Sequence, residues 1–278
     1  MAMIKIDNNK CIKCGSCLKD CFNGMLGAHE NGDVFVKDGR CILCGHCVAV
    51  CPVGAVSMDD YPEDNIEEIA DKDRMVDAGK LLNLMRFSRT VRQFERRPVE
   101  KEKLDMLIKA AYSTPTAGNR QTNVYAVVTQ GIDELRELCA ESFKKMSDDV
   151  KAHPENYKSI VKVYAKMWES IYKDVFENGA EEDRLFFHAP LIFVIGTHKD
   201  QPLDAGLAAS RVEMMADALG LGVLHSGFFV RSSAGNDRLR EFLGFNDKTE
   251  IKSCLVIGYP AVKYHRTVPR KPVEVIYR

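Results

Sequence analysis

Residues 11–52 read CIKCGSCLKDCFNGMLGAHENGDVFVKDGRCILCGHCVAVCP, and this stretch decides the fold of the first part of the chain. Two runs within it share the spacing C-x2-C-x2-C-x3-C. The first run consists of Cys11, Cys14, Cys17 and Cys21, and the second of Cys41, Cys44, Cys47 and Cys51. The second run follows the first at an offset of thirty residues, and Gly15 recurs as Gly45. The pattern indicates an internal duplication with one binding unit in each half.

The spacing of the cysteines favours iron–sulfur clusters. Three thiolates at every third position lie on one tight loop and can face three corners of one cubane cluster. Disulfides are an alternative, but they are typical of secreted chains. Zinc is another, but zinc ribbons use separated C-x2-C pairs. Two [4Fe–4S] clusters are therefore predicted, and the remaining cysteines, Cys139 and Cys254, are interpreted as buried small apolar residues. His46 is interpreted as a solvated loop residue because the eight thiolates already complete the ligand set.

Composition narrows the class of protein. The chain has 278 residues, of which 45% are apolar and 28% charged, with a net charge of −1. This balance gives no electrostatic reason to expect a nucleic acid or an anionic membrane as partner. No apolar run approaches the roughly 18 residues that indicate a membrane helix. The first ten residues lack the apolar stretch of a signal peptide, so we expect a cytoplasmic protein.

Residues 1–60 closely resemble the bacterial two-cluster ferredoxins. In those proteins the fourth cysteine of each run ligates the other cluster. The resemblance implies that Cys11, Cys14, Cys17 and Cys51 hold one cluster, and that Cys41, Cys44, Cys47 and Cys21 hold the other. Pro52 follows Cys51 as expected, whereas Phe22 replaces the proline after Cys21. We expect a ferredoxin-type domain over residues 1–60.

The chain after residue 60 divides into a polar linker and a larger domain. Acidic residues and Pro62 indicate a linker over 61–78, with a short helix from Asn65, and residues 79–278 are expected to fold separately. Helices are predicted over 76–85, 102–111, 133–146, 156–176 and 205–219, and strands over 124–129, 191–196 and 254–257. The strands are too few and too scattered for a doubly wound sheet, so the predicted fold class is α+β.

Four polar or basic segments of the second domain could bind a cofactor. Residues 86–94 (RFSRTVRQF) bring together arginines and hydroxyls that can bind a phosphate. Residues 115–121 (PTAGNRQ) carry amides that can both donate and accept, as the pyrimidine edge of a flavin requires. Residues 220–228 form a glycine-rich loop, and residues 266–271 are basic. Dinucleotide-binding and P-loop motifs are absent from the sequence.

In this order, the four segments resemble the FMN-dependent nitroreductase family, over roughly residues 81–272. The resemblance implies a phosphate site at Ser88, Arg89, Thr90 and Arg92, assisted by Arg270 and Lys271. It implies contacts with the isoalloxazine ring from Pro115, Thr116, Asn119 and Gln121, and a reactive flavin edge lined by His225, Ser226 and Gly227. The sequence departs from the family pattern at Ser88, where an arginine is common. The family also implies a homodimer with FMN at the interface.

Joining clusters to a flavin predicts an oxidoreductase that collects electrons singly and delivers them in pairs. Electrons from reduced ferredoxin or another low-potential donor would reach FMN, which would reduce a small organic acceptor: a nitro compound, a quinone or an activated alkene. One alternative is a relay between protein partners. Another is a reductase driven by NAD(P)H, with the clusters as electron outlet. No catalytic nucleophile is expected; His225 is a candidate proton donor, although a packing role is the simpler interpretation.

Overall fold

The computed structural model describes residues 4–62, 65–179 and 181–278. Residues 1–3 of the expected ferredoxin domain, Glu63 and Asp64 of the expected linker, and Ala180 lie outside the described residues. The chain forms two compact units. The first contains the N-terminal residues up to Val76 together with Thr116–Arg120, and the second contains Asp77–Pro115 and Gln121–Arg278.

The first unit contains two small antiparallel sheets of two strands each. Strand β1 (Ile4–Ile6) pairs antiparallel with β4 (Val56–Met58), and β2 (Leu26–Ala28) pairs antiparallel with β3 (Val34–Val36). Short helices α1 (Ser16–Asp20) and α2 (His46–Ala49) each follow a glycine in the left-handed conformation. That conformation costs glycine little because it lacks a Cβ atom. The predicted helix from Asn65 is replaced by α3 (Asp71–Arg74).

Four antiparallel strands form the sheet of the second unit, in the order β5-β6-β8-β7. The strands are β5 (Val124–Val128), β6 (Leu191–Thr197), β7 (Gly222–His225) and β8 (Glu250–Gly258). Strand β6 is buried along its whole length. Its residues alternate between two hydrophobic cores, with Ile192 and Val194 in one and Leu191 and Phe193 in the other. This alternation with period two places a helical layer on each face of the sheet.

The helices of the second unit have these bounds: α4 (Ala78–Phe87), α5 (Lys101–Tyr112), α6 (Ile132–Ala152), α7 (Ser159–Phe176), α8 (Pro202–Ala218), α9 (Gly227–Ser232) and α10 (Asp237–Phe242). Helices α5 and α8 pack on one face of the sheet, and α6 and α7 pack together on the other. The mixture of helices with a small antiparallel sheet confirms the α+β class.

Two local expectations are corrected. Residues 222–225, expected as part of a loop, form strand β7, because Val223 and Leu224 are buried on opposite faces of the sheet and pair with β8. The helix expected from Asn156 begins at Ser159 instead, because Pro154–Asn156 form a separate 3-10 turn. The first difference arises because a four-residue segment depends on its tertiary neighbours more than on its own periodicity.

Candidate functional site

Thiols from both cysteine runs converge in the first unit. Cys11, Cys14, Cys17 and Cys51 line one small cavity, together with apolar residues that include Ile6 and Val34. Burial raises the pKa of the Cys17 thiol, and the nearby charges of Cys11 and Cys51 raise it further. The fourth cysteine of the second run therefore lies with the first three of the first run. Among the described residues, no three His, Cys, Asp or Glu side chains converge on a site for a single metal ion.

Backbone amides point at the cysteine sulfurs in both halves of the first unit. The Lys13 amide donates to Cys11 Sγ at 3.4 Å, and the Leu43 amide donates to Cys41 Sγ at 3.3 Å. The Met25 amide donates to Cys21 Sγ and the Ala55 amide to Cys51 Sγ, both at 3.2 Å. Such bonds stabilise negative charge on sulfur, and they tune the potential of an iron–sulfur cluster. This donor set fits cluster ligation.

Three cysteines of the second run also lie close together, since Cys47 is affected by the charges of Cys44 and Cys41. Burial raises the pKa of the Cys47 thiol to about 11, and the charges of Cys44 and Cys41 contribute to the rise.

Cys139 and Cys254 lie elsewhere, in the core of the second unit, and are almost completely buried. Burial raises the pKa of the Cys139 thiol to about 12. A buried thiol of this kind is a packing group rather than a nucleophile.

A basic pocket of about 660 Å³ lies in the second unit. It is lined by five of the residues predicted to bind phosphate, Ser88, Arg89, Thr90, Arg92 and Arg270. Lys271 is exposed and is outside the lining. The pocket thus brings together two distant stretches of sequence, the turn after α4 and the C-terminal segment.

Local structure fixes the turn after α4. Ser88 ends the helix in an extended conformation, with its amide still bonded to the Leu84 carbonyl. The next residues run beside β7, where the Val91 amide donates to the Val223 carbonyl at 2.9 Å. The chain is therefore held on both sides of Arg89 and Thr90.

The Arg89 guanidinium has a donor available for a further acidic partner. Its Nη2 donates to the Arg266 carbonyl at 2.5 Å, and its guanidinium lies 4.3 Å from the centre of the Tyr264 ring. Its Nε is buried and finds no hydrogen-bond partner among the residues that the structure describes. A buried donor without a partner is costly, so this atom is suited to a ligand oxygen. The residues of the pocket thus fit a bound phosphate.

Carboxylates that the sequence prediction missed form another wall of the pocket. Glu213 and Asp217 lie one turn apart on α8. Glu213 forms an ion pair with His225 at 3.3 Å and accepts a hydrogen bond from Ser88 Oγ at 3.4 Å. The bond from His225 lowers the pKa of Glu213, whereas burial raises the pKa of Asp217. The sequence did contain a signal for this wall of the pocket: two carboxylates four residues apart on a helix rich in Ala and Met.

The three residues expected at the reactive edge follow each other at the end of β7. His225 is half exposed and reaches Glu213. Ser226 is buried and caps α9, because its Oγ accepts from the Phe229 amide. A Cβ atom at Gly227 would meet no atom within 4 Å. This position therefore faces open space, and the backbone here is accessible to a ligand.

The loop 115–121 is divided between the units. Pro115 and Gln121 belong to the second unit, and Thr116 and Asn119 to the first. The Asn119 side chain donates to the Leu43 carbonyl at 2.7 Å, in the second cysteine loop. The described residues that line the basic pocket include none from this loop.

Comparisons with known proteins identify a family for each of the two parts of the chain. Residues 85–259 match the family model described as the nitroreductase family. The chain belongs to the nitroreductase family. Residues 3–65 match a second model, the 4Fe-4S dicluster domain. Both resemblances stated from the sequence are thereby confirmed, and this nitroreductase-family chain carries a dicluster domain at its N-terminal end.

Solved structures share the fold of this nitroreductase-family protein. A nitroreductase with bound FMN from Bacteroides fragilis is 15% identical, with a TM-score of 0.56, over 71% of this chain and 99% of that one. A nitroreductase with bound FMN from Desulfitobacterium hafniense is 19% identical, with a TM-score of 0.53, over 72% and 100%. Iodotyrosine deiodinase bound to FMN and 3-iodo-L-tyrosine is 19% identical, with a TM-score of 0.51, over 71% and 98%.

Two further findings are negative. No curated protein matches the sequence of this chain. Within the described part of the chain, no helix combines the length and the apolar character needed to cross a membrane.

Proposed function

We propose that this protein is an iron–sulfur flavoprotein oxidoreductase. In this proposal, two [4Fe–4S] clusters receive single electrons and FMN in the basic pocket reduces a small organic acceptor. The observation that carries the flavin part is the grouping of Ser88, Arg89, Thr90, Arg92 and Arg270 around one pocket, where Arg89 Nε has no partner in the described part of the chain. Membership of the nitroreductase family and the FMN bound in two structural neighbours support this interpretation.

The proposed residue roles follow from the contacts. Arg89, Arg92 and Arg270 would neutralise the phosphate, and the hydroxyls of Ser88 and Thr90 would donate single hydrogen bonds to it. FMN supplies both one-electron and two-electron chemistry when bound. Glu213 lies 3.3 Å from the His225 imidazole and orients it, and His225 is the candidate proton donor of this proposal. Thr116 and Asn119 lie in the first unit, and their assignment to the flavin stays a prediction.

The cluster assignment is the second part of the proposal. The cavity lined by Cys11, Cys14, Cys17 and Cys51 supports the crossed ligation implied by the ferredoxin resemblance. The other set, Cys41, Cys44, Cys47 and Cys21, is proposed by the same duplication. Amide donors to sulfur in both halves support thiolate ligands in each.

A homodimer is also proposed. Helix α7 exposes Ile160, Val163 and Met167, each about half accessible. These residues lie three and four positions apart, so they share one apolar face. Such a face supports burial against a second copy of the chain. Light scattering that gave only the mass of a single chain would contradict the dimer. A cytoplasmic location stays a prediction from the sequence, where no signal-peptide stretch was recognised in the first ten residues.

Anaerobic purification with iron, sulfide and flavin analysis tests the proposed function. We expect about eight irons and about one FMN per chain, from two cubane clusters and one flavin. Fewer than about two irons per chain would overturn the cluster assignment.

Anaerobic absorbance during reduction separates the electron donors. A low-potential donor is expected to bleach the clusters and the flavin, followed by reoxidation with a nitro compound, a quinone or an enone. Rapid bleaching by NAD(P)H alone would favour the NAD(P)H-driven alternative. Reduction of a protein partner with no reaction toward any small acceptor would favour the relay.

A further inference from the structure

The second cysteine loop is held by a segment distant in sequence. Thr116–Arg120 belongs to the first unit, although the chain on both sides of it belongs to the second. We propose that Asn119, together with Tyr61, is a positioning residue for the second cluster. In this proposal the pair fixes the Leu43 carbonyl, so that the Leu43 amide stays bonded to the Cys41 thiolate. The inference rests on the proposed function, because it needs the cluster in place.

Hydrogen bonds connect Tyr61, Asn119 and the backbone of the second cysteine loop. Tyr61 Oη donates to the Leu43 carbonyl at 2.8 Å, and Asn119 Nδ2 donates to the same carbonyl at 2.7 Å. Asn119 Nδ2 also lies 3.2 Å from Tyr61 Oη and 3.3 Å from the Ile42 carbonyl. The Leu43 carbonyl thus uses both of its lone pairs. Because these bonds share donors and acceptors, each orients the others.

The peptide at Leu43 needs an external anchor. Leu43 has a φ of 55°, in the left-handed region that disfavours a residue with a side chain. In this conformation its amide donates to Cys41 Sγ at 3.3 Å. A residue held in a sparsely populated conformation persists only when its surroundings fix it. The bonds to Tyr61 and Asn119 supply that fixation on the carbonyl side.

The duplicated half provides an internal comparison. Lys13 is the counterpart of Leu43 at the thirty-residue offset, and it has a similar φ of 60° and a similar amide bond to Cys11 Sγ. Lys13 anchors itself, because its Nζ donates to the Asn31 carbonyl at 2.8 Å and pairs with Asp33 at 3.0 Å. Leu43 has no polar side chain that could do this. The chain therefore anchors the two loops by different means.

Asn119 is suited to this task by its own backbone. Its φ is 52° and that of Gly118 is 58°. Asparagine tolerates the left-handed region better than most residues. The 3-10 turn at Ala117–Asn119 thus presents the side-chain amide without forcing an unsuitable residue into this conformation.

Loss of this anchor has a specific electronic consequence. An amide bond to a thiolate stabilises the reduced, more negative cluster, so its weakening lowers the reduction potential. Only the cluster of the Cys41 loop is affected.

The test is an anaerobic potentiometric titration of the full chain, with electron paramagnetic resonance recording both clusters. Asn119→Gly removes the amide and keeps the tolerance for a positive φ, and Tyr61→Phe removes only the hydroxyl. Lys13→Ala perturbs the first loop and so identifies the signal of the first cluster. Asn9→Gly, at an exposed position of the same unit, is the matched control.

We expect Asn119→Gly and Tyr61→Phe to lower the midpoint potential of the cluster that Lys13→Ala leaves unchanged, with full iron content and with Asn9→Gly equal to the wild type. If Asn119→Gly fails to load iron, Tyr61→Phe decides by itself. Unmoved potentials in loaded variants, or movement of the cluster that responds to Lys13→Ala, would overturn this inference alone. Absence of iron from the wild-type chain would overturn the proposed function and this inference together.

Discussion

Replacing Arg89 by alanine should weaken the binding of FMN through its phosphate. Arg89 lines the basic pocket, and its buried Nε has no partner within residues 4–62, 65–179 and 181–278. A hydrogen bond to a charged group contributes about 1.5–3 kcal/mol. Since about 1.4 kcal/mol changes a dissociation constant tenfold, loss of one such bond should weaken FMN binding roughly ten- to hundredfold.

Riboflavin separates the phosphate contribution from packing. Arg89→Ala also removes the bond to the Arg266 carbonyl and the stacking on Tyr264 at 4.3 Å, an interaction of about 0.5–1 kcal/mol at an exposed site. These two lost contacts do not involve a phosphate. Their loss should therefore weaken the binding of FMN and of riboflavin equally. The variant should therefore lose most of its preference for FMN over riboflavin.

Fluorescence titration of the flavin-free protein with each ligand measures this preference. Arg96→Ala is the matched control, because Arg96 is an exposed arginine of the same segment outside the pocket lining. It should keep the wild-type ratio. Arg89→Lys should fall between the two, because it keeps the charge and loses the planar fork. Equal weakening of FMN and riboflavin by Arg89→Ala would refute the phosphate assignment.

Three more predictions concern the clusters, the core and the pH response. Cys51→Ala should remove the cluster of the first run, and Cys21→Ala that of the second, each leaving about four irons per chain by iron analysis. Asp183→Ala should cost about 3–5 kcal/mol in urea unfolding, because the Asp183 side chain is fully buried and its loss breaks a 2.9 Å ion pair with the buried Arg136 guanidinium. The depressed pKa of Glu213 stabilises the fold above the ordinary glutamate range, so the stability difference between wild type and Glu213→Gln should shrink as the pH falls through that pKa.

Each of these predictions has its own contradicting result. Loss of both clusters in Cys51→Ala, with Cys21→Ala fully loaded, would contradict crossed ligation. For the core, Asp237→Ala serves as control because the Asp237 carboxylate is exposed. Equal stability of the Asp183 and Asp237 variants would contradict the stabilising role of the buried pair that Asp183 forms. A stability difference for Glu213→Gln that grew toward acid pH would have the wrong sign for a carboxylate whose pKa is lowered.

Local chemistry made the clusters readable from the sequence. Three thiolates of each run lie within seven residues, and the duplication repeats them, so no tertiary information was needed to recognise their type. Long helices such as α6 and α7 were also predictable, because each buries one face at helical spacing. The phosphate-binding segment, residues 86–94, was predicted from its arginines and hydroxyls. The structure adds that Arg270 lines the same pocket.

Tertiary structure alone decided the features that depend on distant partners. Strand β7 is a strand because β8 supplies its hydrogen bonds, and four residues carry too little pattern to reveal this. Glu213 faces His225 only because α8 packs beside β7. Asn119 contacts Leu43 across seventy-six residues, where the sequence suggested a contact with a ligand. Sequence thus determined which chemical groups the protein carries, whereas folding decided which of them meet, because hydrogen bonds and ion pairs between distant segments form only after the packing of the cores has fixed their positions.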